Sequence, residues 1–450
     1  MTHHEYCVVG SSAAAAGAIE AIRAVDPAGR LTVISEERAA FYSRPLITRV
    51  ITAGASADDI AYRPKGFLEE NRVEARLGVR VDAVNQEDRR LLLSSGEEIS
   101  YGRLLLATGS VAKIPPIPGR ELLGVHTLAS LADAQAVAAW LEPRGGEGAR
   151  PRPHSAVVIG AGFIGLQAAE ALRQVGLEVA VVEGLDRPLA TVLDRGTSAL
   201  VQQALEANGV TVLTSRAVKA LKADPSDPTR VGSVAIEGGE SGGLRELPAD
   251  VVIVATGVRP RTELLKGLNL PPGRGIAVDE HMATPYSDVY AAGDAVEVGD
   301  LLRGGSRPFP IWPTAYAGGR VAGLNMAGHP AALPGQVTMN TFHCFGLTVA
   351  SAGLVDPPET GGDGYEILSA GPPPGSSPGA YGRKLVLRDG RLVGLVCVGD
   401  AVDRCGLVAG LIRRQVAVGG FKESLLRNFG LAQWPEEIRS QYFSREGIAS

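Results

Sequence analysis

Residues 155–183 read SAVVIGAGFIGLQAAEALRQVGLEVAVVE. SAVVIG is a short apolar run closed by glycine, which reads as a buried strand. AGFIGLQAAEALRQV continues as a helix that Gly176 stops, and LEVAVVE returns as a second strand. Such a unit binds a dinucleotide when its turn carries small residues at fixed spacing, and Gly160-x-Gly162-x-x-Gly165 supplies them. Gly160 permits the tight turn, Gly162 lets backbone approach a pyrophosphate, and Gly165 lets the helix close on the strand. The helix N-terminus offers unpaired N–H groups and partial positive charge to the phosphates. Glu183 ends the second strand, where an acid hydrogen-bonds both ribose hydroxyls and disfavours a 2′-phosphate. NAD(H) is therefore preferred over NADP(H), with Arg187 close enough to temper the preference. A lone G-x-G-x-x-G is weak; strand, helix and acid around it make this one specific.

A looser copy opens the chain. EYCVVG is the strand, GSSAAAAGAIEAIRAV the turn and helix, and LTVISE the second strand. The fingerprint is Gly10-x-Ser12-x-x-Ala15, with Glu36 in the acidic position and Glu37 as a rival. Taken alone, an Ala-rich helix packed on a strand explains it too. Two further repeats support the first reading: LLLATGS (104–110) matches VIVATGV (252–258), and YAAGDA places Asp294 after a strand and a glycine turn. Between the units, LASLADAQAVAAWL reads as a helix and PRGGEGARPRPH (143–154) as a surface loop. A helix is expected from about Thr314 to Met326. From about Gln336 the pattern changes to strands, with a hairpin over 384–399 about Asp389-Gly390. GPPPGSSPG (371–379) cannot be a strand interior. Helices are expected in LVAGLIRRQVAV and FKESLLRNFG.

The 450 residues exceed one ordinary core, so two or three domains are expected. The net charge of −5 argues against nucleic acid or an anionic membrane as main partner. No apolar run nears the roughly 18–20 residues that span a bilayer, and the N-terminus lacks the basic and apolar regions of a secretory leader. Four separated cysteines (Cys7, Cys344, Cys397, Cys405) give no CxxC and no iron–sulfur spacing, and the histidines show no metal spacing beyond His3–His4. Reduced thiols and a cytoplasmic setting are the expectation.

Two fingerprints, two ATG segments, GVRPRTEL, and IAVDEHMATPYSDVYAAGD together resemble the pyridine nucleotide–disulfide oxidoreductase superfamily. FYSRPLIT, WPTAYAGGRVAGLNMAG and GDAVDRCGLVAGLIRRQVAVGGFKESLLRNFG are similar to NADH-dependent rubredoxin and ferredoxin reductases, to the flavin part of assimilatory nitrite reductases, and to the FAD-NAD oxidoreductase that accompanies carbon monoxide dehydrogenase. The resemblance implies an α/β fold with two Rossmann-like FAD- and NAD-binding domains, one inserted in the other, plus a C-terminal α+β interface domain. On this pattern residues 1–114 and 259–332 form the FAD domain, 115–258 the NAD domain, and 333–450 the interface domain of a homodimer. It also implies flavin-holding roles for Gly10, Ser12, Ala15, Glu36, Arg44, Pro45, Val81, Ala107, Thr108, Gly109, Asp294, Trp312, Thr314 and Ala315. Gly160, Gly162, Ile164, Gly165, Glu183 and Gly257 would hold NAD(H). Asp294 would bind a ribityl hydroxyl, and Trp312 would run beside the flavin; as a side chain it reads equally as packing.

Disulfide-reducing relatives carry a cysteine near YSRPLIT (42–48), where this chain has Tyr42, Ser43 and Arg44. A relay needs an ionisable sulfur, and serine cannot replace it. The expectation is direct transfer from NADH through FAD to a small iron–sulfur protein, or the reverse. Arg49 aligns with a basic residue near the flavin in related ferredoxin reductases, against the plain reading of a solvated arginine. Gln167 departs from the usual glutamate, which would leave Arg49 less neutralised. The competing readings are an NADH oxidase using oxygen, an NAD(H)-responsive redox sensor, and a flavin subunit of a larger complex.

Overall fold

The first parallel sheet is discontinuous in the chain. Its strands lie in the order Val73–Leu77, Leu31–Ser35, His3–Val9, Glu98–Leu106, and Val289–Ala291 then returns from far downstream to pair in parallel with Leu104–Leu106. The computed structural model that shows this describes residues 3–143, 152–238, 243–267, 274–357, 364–371 and 382–443. All five residues of Leu31–Ser35 are buried, as in a sheet covered on both faces. Arg90–Leu93 and Val81–Asn85 extend the sheet as an antiparallel pair.

The second parallel sheet has the order Val210–Leu213, Glu178–Val182, Ser155–Ile159, Val251–Val254, Val125–His126. A three-stranded antiparallel sheet of Val218–Asp224, Asp227–Glu237 and Leu244–Pro248 flanks it. The two ATG segments take equivalent places. Each follows a strand, Glu98–Leu106 or Val251–Val254, and leads into a short strand, Ser110–Ala112 or Val258–Pro260. Those two short strands pair with each other, Val111 opposite Arg259, and so tie the units together where the chain passes between them.

Helix Ala13–Val25 of the first fingerprint lies against helix Trp312–Met326 with no room for side chains between them. A methyl group on Gly319 would sit 1.9 Å from the Ala14 carbonyl oxygen, and one on Gly323 would sit 2.6 Å from that of Ala18. From the other side, a methyl on Gly17 would reach 2.4 Å from the Tyr316 carbonyl oxygen. The AAAAGA run, which reads as a mere Ala-rich helix, is thus the small-residue half of a close helix pair.

The tail is a five-stranded antiparallel sheet in the order Met339–Cys344, Leu347–Gly353, Arg391–Val398, Arg383–Arg388, Tyr365–Ala370, with helices Cys405–Arg413 and Lys422–Arg427. Asp389 and Gly390 turn the expected hairpin with φ of 51° and 73°, the left-handed pair that a two-residue turn requires. Ala350, Ala352, Leu395 and Cys397 pack on the tail's own helices. Phe342, Cys344, Val349 and Val398 pack instead with the core of the second unit. Lys384 donates to Asp194 at 2.7 Å across that contact, both nearly inaccessible to solvent. The helix expected through Val418 stops at Arg413. Gln415 turns left-handed at φ 50°, and Val416 and Val418 run back along the hairpin, bonded to Leu392 and Gly390. The loop expected at 143–154 lies largely, and the insertion at 371–379 almost wholly, outside the described residues.

The glycine contact gives a sign test. In an exposed helix interior Gly→Ala stabilises by about 1 kcal/mol. Gly319→Ala is expected to destabilise by about 1–3 kcal/mol, because overpacking exceeds that gain. Chemical unfolding of the variant checks it, and added stability would contradict the close packing.

Candidate functional site

The C-terminal ends of both parallel sheets open on one cleft of about 1950 Å³. Ligands of open α/β sheets bind at this edge, because the turns and helix N-termini gather there. On the first sheet Gly10, with φ 120°, crosses so close to Ala107 that a methyl group would sit 2.1 Å from its carbonyl oxygen. That contact opens the turn that leads to Ser12 and the helix behind it. Ser12 in turn precedes the helix without capping it through its side chain. Asp294 lines the same half. Its carboxylate accepts from the Ser110 hydroxyl at 2.8 Å, and burial pushes its carboxyl above the ordinary value against that bond and the nearby Arg44 charge. Helix Trp312–Met326 begins here with Pro313 in its first turn, so its free N–H groups also face the cleft. Trp312 is 40% exposed and stacks on Tyr316 at 5.3 Å.

The second half separates the jobs of three glycines. A methyl on Gly160 would meet the Ala255 carbonyl oxygen at 2.5 Å, and one on Gly165 would meet that of Gly160 at 1.9 Å. One on Gly162 would meet nothing within 4 Å, and Gly162 stands as N-cap of helix Phe163–Gln174 without a side chain to fill the end. The open space before unpaired helix N–H groups fits a pyrophosphate. Glu183 accepts from the Ala161 N–H at 2.6 Å and the Leu185 N–H at 2.8 Å. These residues fit two dinucleotides laid end to end, one in each half.

Gly10, Ser12, Glu36, Arg44, Pro45, Val81, Ala107, Thr108, Gly109, Asp294, Trp312, Ala315, Gly160, Gly162, Ile164, Gln167, Glu183 and Gly257 all line the cleft. Ala15 and Gly165 are buried behind it at helix–strand contacts. Thr314 is buried too, and its hydroxyl donates to Gln336 at 3.2 Å. Arg49 is not brought to the cleft wall. Val50 and Ile51 of helix Thr48–Ala53 face the core, Ile47 and Thr48 the cleft, and Arg49 is left exposed on the outer side, in the field of Asp59. The cation this segment does offer the cleft is Arg44. The Gln167 amide lines the cleft and has no protein hydrogen-bond partner among the described residues.

Long-range partners escaped the sequence. Glu36 is ion-paired to Arg261, 225 residues away, and Asp294 accepts the Ser110 hydroxyl, 184 residues away. Arg44 donates to Glu37 at 2.9 Å and to the Ala129 carbonyl at 2.6 Å. Only the positions of Arg261 in GVRPRTEL and Ser110 after ATG hinted at them. All four cysteines are buried, none lines the cleft, and burial raises every thiol, Cys7 to about 12. Among the described residues no cluster of three or more His, Cys, Asp or Glu could hold a metal, and no helix is long and apolar enough to cross a membrane.

A family model described as pyridine nucleotide-disulphide oxidoreductase matches residues 4–339. The chain belongs to that family: it is an oxidoreductase that binds FAD and NAD(H). It is 32% identical over 429 residues to the NADH-dependent phenylglyoxylate dehydrogenase subunit epsilon of Aromatoleum evansii, covering 95% of each chain. It is 31% identical to the ferredoxin–NAD(+) reductase component of the biphenyl dioxygenase system of Paraburkholderia xenovorans (strain LB400), covering 73% of this chain and 76% of that one. Among solved structures, the NAD-dependent persulfide reductase from A. fulgidus superposes with a TM-score of 0.81 at 29% identity, covering 94% of this chain and 79% of that one.

The glycine geometry predicts opposite phenotypes inside one motif. Gly162→Val is expected to fold with an unchanged unfolding midpoint and to lose NAD(H) affinity at least about tenfold, the loss of one or two phosphate contacts. Gly165→Val is expected to destabilise the fold by about 2 kcal/mol or more. Calorimetric titration and thermal unfolding of the pair check this; equal unfolding losses in both would contradict it.

Proposed function

We propose that this chain is an NADH-dependent FAD oxidoreductase that passes electrons to a small iron–sulfur protein without a thiol relay. The observation that carries the reading is the wall of the flavin half: Tyr42, Arg44 and Pro45 line it where a redox thiol would have to stand. Bound flavin accepts two electrons from the reduced nicotinamide and can release them one at a time. The chain's part is to bind, align and shield. Gly10, Ser12 and Asp294 hold the flavin, and Gly160, Gly162 and Glu183 hold the nicotinamide nucleotide. Gln167, half-buried in the first turns of helix Phe163–Gln174, offers a neutral amide between the two. The similarity to a ferredoxin–NAD(+) reductase component supports the iron–sulfur acceptor. The similarity to a dehydrogenase subunit over 95% of both chains favours a second reading, a flavin subunit that works docked in a larger assembly.

This reading takes residues 1–114 and 259–332 as the FAD domain, 115–258 as the NAD domain, and 333–450 as an interface domain. It places a homodimer in the cytoplasm. Among the cleft-lining residues Arg44, Gln167 and Trp312 are the ones we assign to the flavin–nicotinamide junction and the electron exit.

Anaerobic titration with NADH is expected to bleach the flavin band with one equivalent, and added ferredoxin or rubredoxin to restore it. Bleaching without reoxidation by either carrier would leave the docked subunit as the better reading; no bleaching would end both. The thiols give an independent check. Burial raises every thiol above its ordinary value and shields it from solvent, which disfavours the reactive thiolate in the folded protein. Iodoacetamide at pH 8 is expected to label no cysteine of the folded protein and to leave NADH bleaching intact, read by mass spectrometry. A single labelled thiol whose modification blocks reoxidation would overturn the relay-free route.

A further inference from the structure

Arg216 lines the nucleotide half of the cleft, and none of the roles above uses it. It follows strand Val210–Leu213, beside the end of Glu178–Val182 where Glu183 stands. Three backbone bonds stitch the two loops together. The Glu183 N–H donates to Leu213, the Ser215 N–H to Leu185, and the Arg216 N–H to the Glu183 carbonyl at 3.0 Å. Ser215 takes a left-handed φ of 52°, unusual for a residue other than glycine and a local strain that sets the direction of Arg216. The guanidinium then donates back to the Ser215 carbonyl at 3.1 Å. Among the described residues no carboxylate lies within ion-pair distance of it.

The other nearby cation is already engaged. Arg187 contacts Asp186 and Asp356, each at 3.0 Å, and only 16% of its side chain is exposed. The acid that should repel a 2′-phosphate is also partly answered: each oxygen of Glu183 accepts a backbone N–H. Two amide donors spread its charge and hold it in its own loop, so its repulsion of a second anion falls.

We propose that Arg216 receives the 2′-phosphate of NADPH, so that this site takes NADPH as well as NADH. The proposal rests on the pyridine-nucleotide reading of the second fingerprint. A planar guanidinium matches phosphate oxygens in pairs, and an arginine beside the ribose is the usual way such a fold admits the extra phosphate.

The test is calorimetric titration of the flavin-loaded protein with NAD+ and with NADP+, for wild type, R216Q and R216K. NADP+ is expected to bind wild type within about tenfold of NAD+. In R216Q the ratio of the two dissociation constants should rise about tenfold or more, the worth of one charged contact, and R216K should recover part of it. The ratio cancels any general loosening of the site, and R216K guards against a variant that fails to fold. NAD+ binding without NADP+ binding in wild type would overturn the proposal and leave the NADH reading standing. A ratio unchanged in R216Q would overturn it too, and would assign Arg216 to packing on the adenine common to both. Binding of neither nucleotide would overturn the nucleotide site itself.

Discussion

Everything at the first half of the cleft depends on one contact, the side-chain-free meeting of helices Ala13–Val25 and Trp312–Met326. Their N-termini belong to segments some 300 residues apart in the chain. Gly17, Gly319 and Gly323 let the backbones touch, and at that separation the crossing is fixed by backbone atoms and not by adaptable side chains. Both helix starts then face the same cavity, Ser12 from one and Trp312 from the other. A helix N-terminus is useful to an anion or a polarised carbonyl only within its first turn. A shift of an ångström in the contact would spoil both ends together, which is why glycine stands where helix propensity alone would prefer alanine.

The stretch YSRPLIT is built for contact between the two units. Tyr42 does not face solvent or substrate as a spare hydroxyl. Its oxygen accepts the Leu131 N–H at 3.1 Å, at the start of a helix in the second unit, and its ring lies in that unit's core with Ile47, Val50 and Ile51. Arg44 lies over the Tyr42 ring at 5.3 Å and reaches Ala129 and Glu37. The segment is thus a clamp between the two nucleotide units. A thiol in its place would need solvent or a cation to ionise. Here the surroundings are set to hold geometry, and burial pushes the Tyr42 phenol up to about 12.

What the sequence disclosed follows from how local each signal is. Strand, glycine turn, helix and acid lie within thirty residues, so both fingerprints, the Asp389-Gly390 turn and the capped helix Leu131–Leu141 were legible. A resemblance fixes a position along a helix and not the face it presents: Arg49 is exposed off the cleft wall, one step of about 100° from Thr48, which lines it. Glu36–Arg261 and Asp294–Ser110 were invisible because their partners meet only after the chain has gone out through the second unit and come back. The buried status of Ala15 and Thr314 is the same lesson in reverse: a motif position can serve the binding site by packing the wall and never touching what it holds.

The tail extends this logic. A buried ion pair is weak evidence of stability, since hydrophobic packing often does as well. Lys384 and Asp194 are better understood by what each already does. Asp194 caps helix Arg195–Ala207 by accepting the Thr197 N–H at 2.9 Å, and Lys384 also donates to the Val355 carbonyl at 2.8 Å. The pair therefore fixes a point in the second unit to a point in the tail sheet, with directional bonds on both sides. Arg187–Asp356 and the Phe345 N–H on Glu170 repeat the connection at other points of the same boundary. Apolar contact between Phe342 and Phe163 supplies area but tolerates sliding. The polar links set register. Because Phe163 opens the helix whose first turns carry Ile164 and Gln167 to the cleft, holding the tail in register also holds the second half of the cleft against the first.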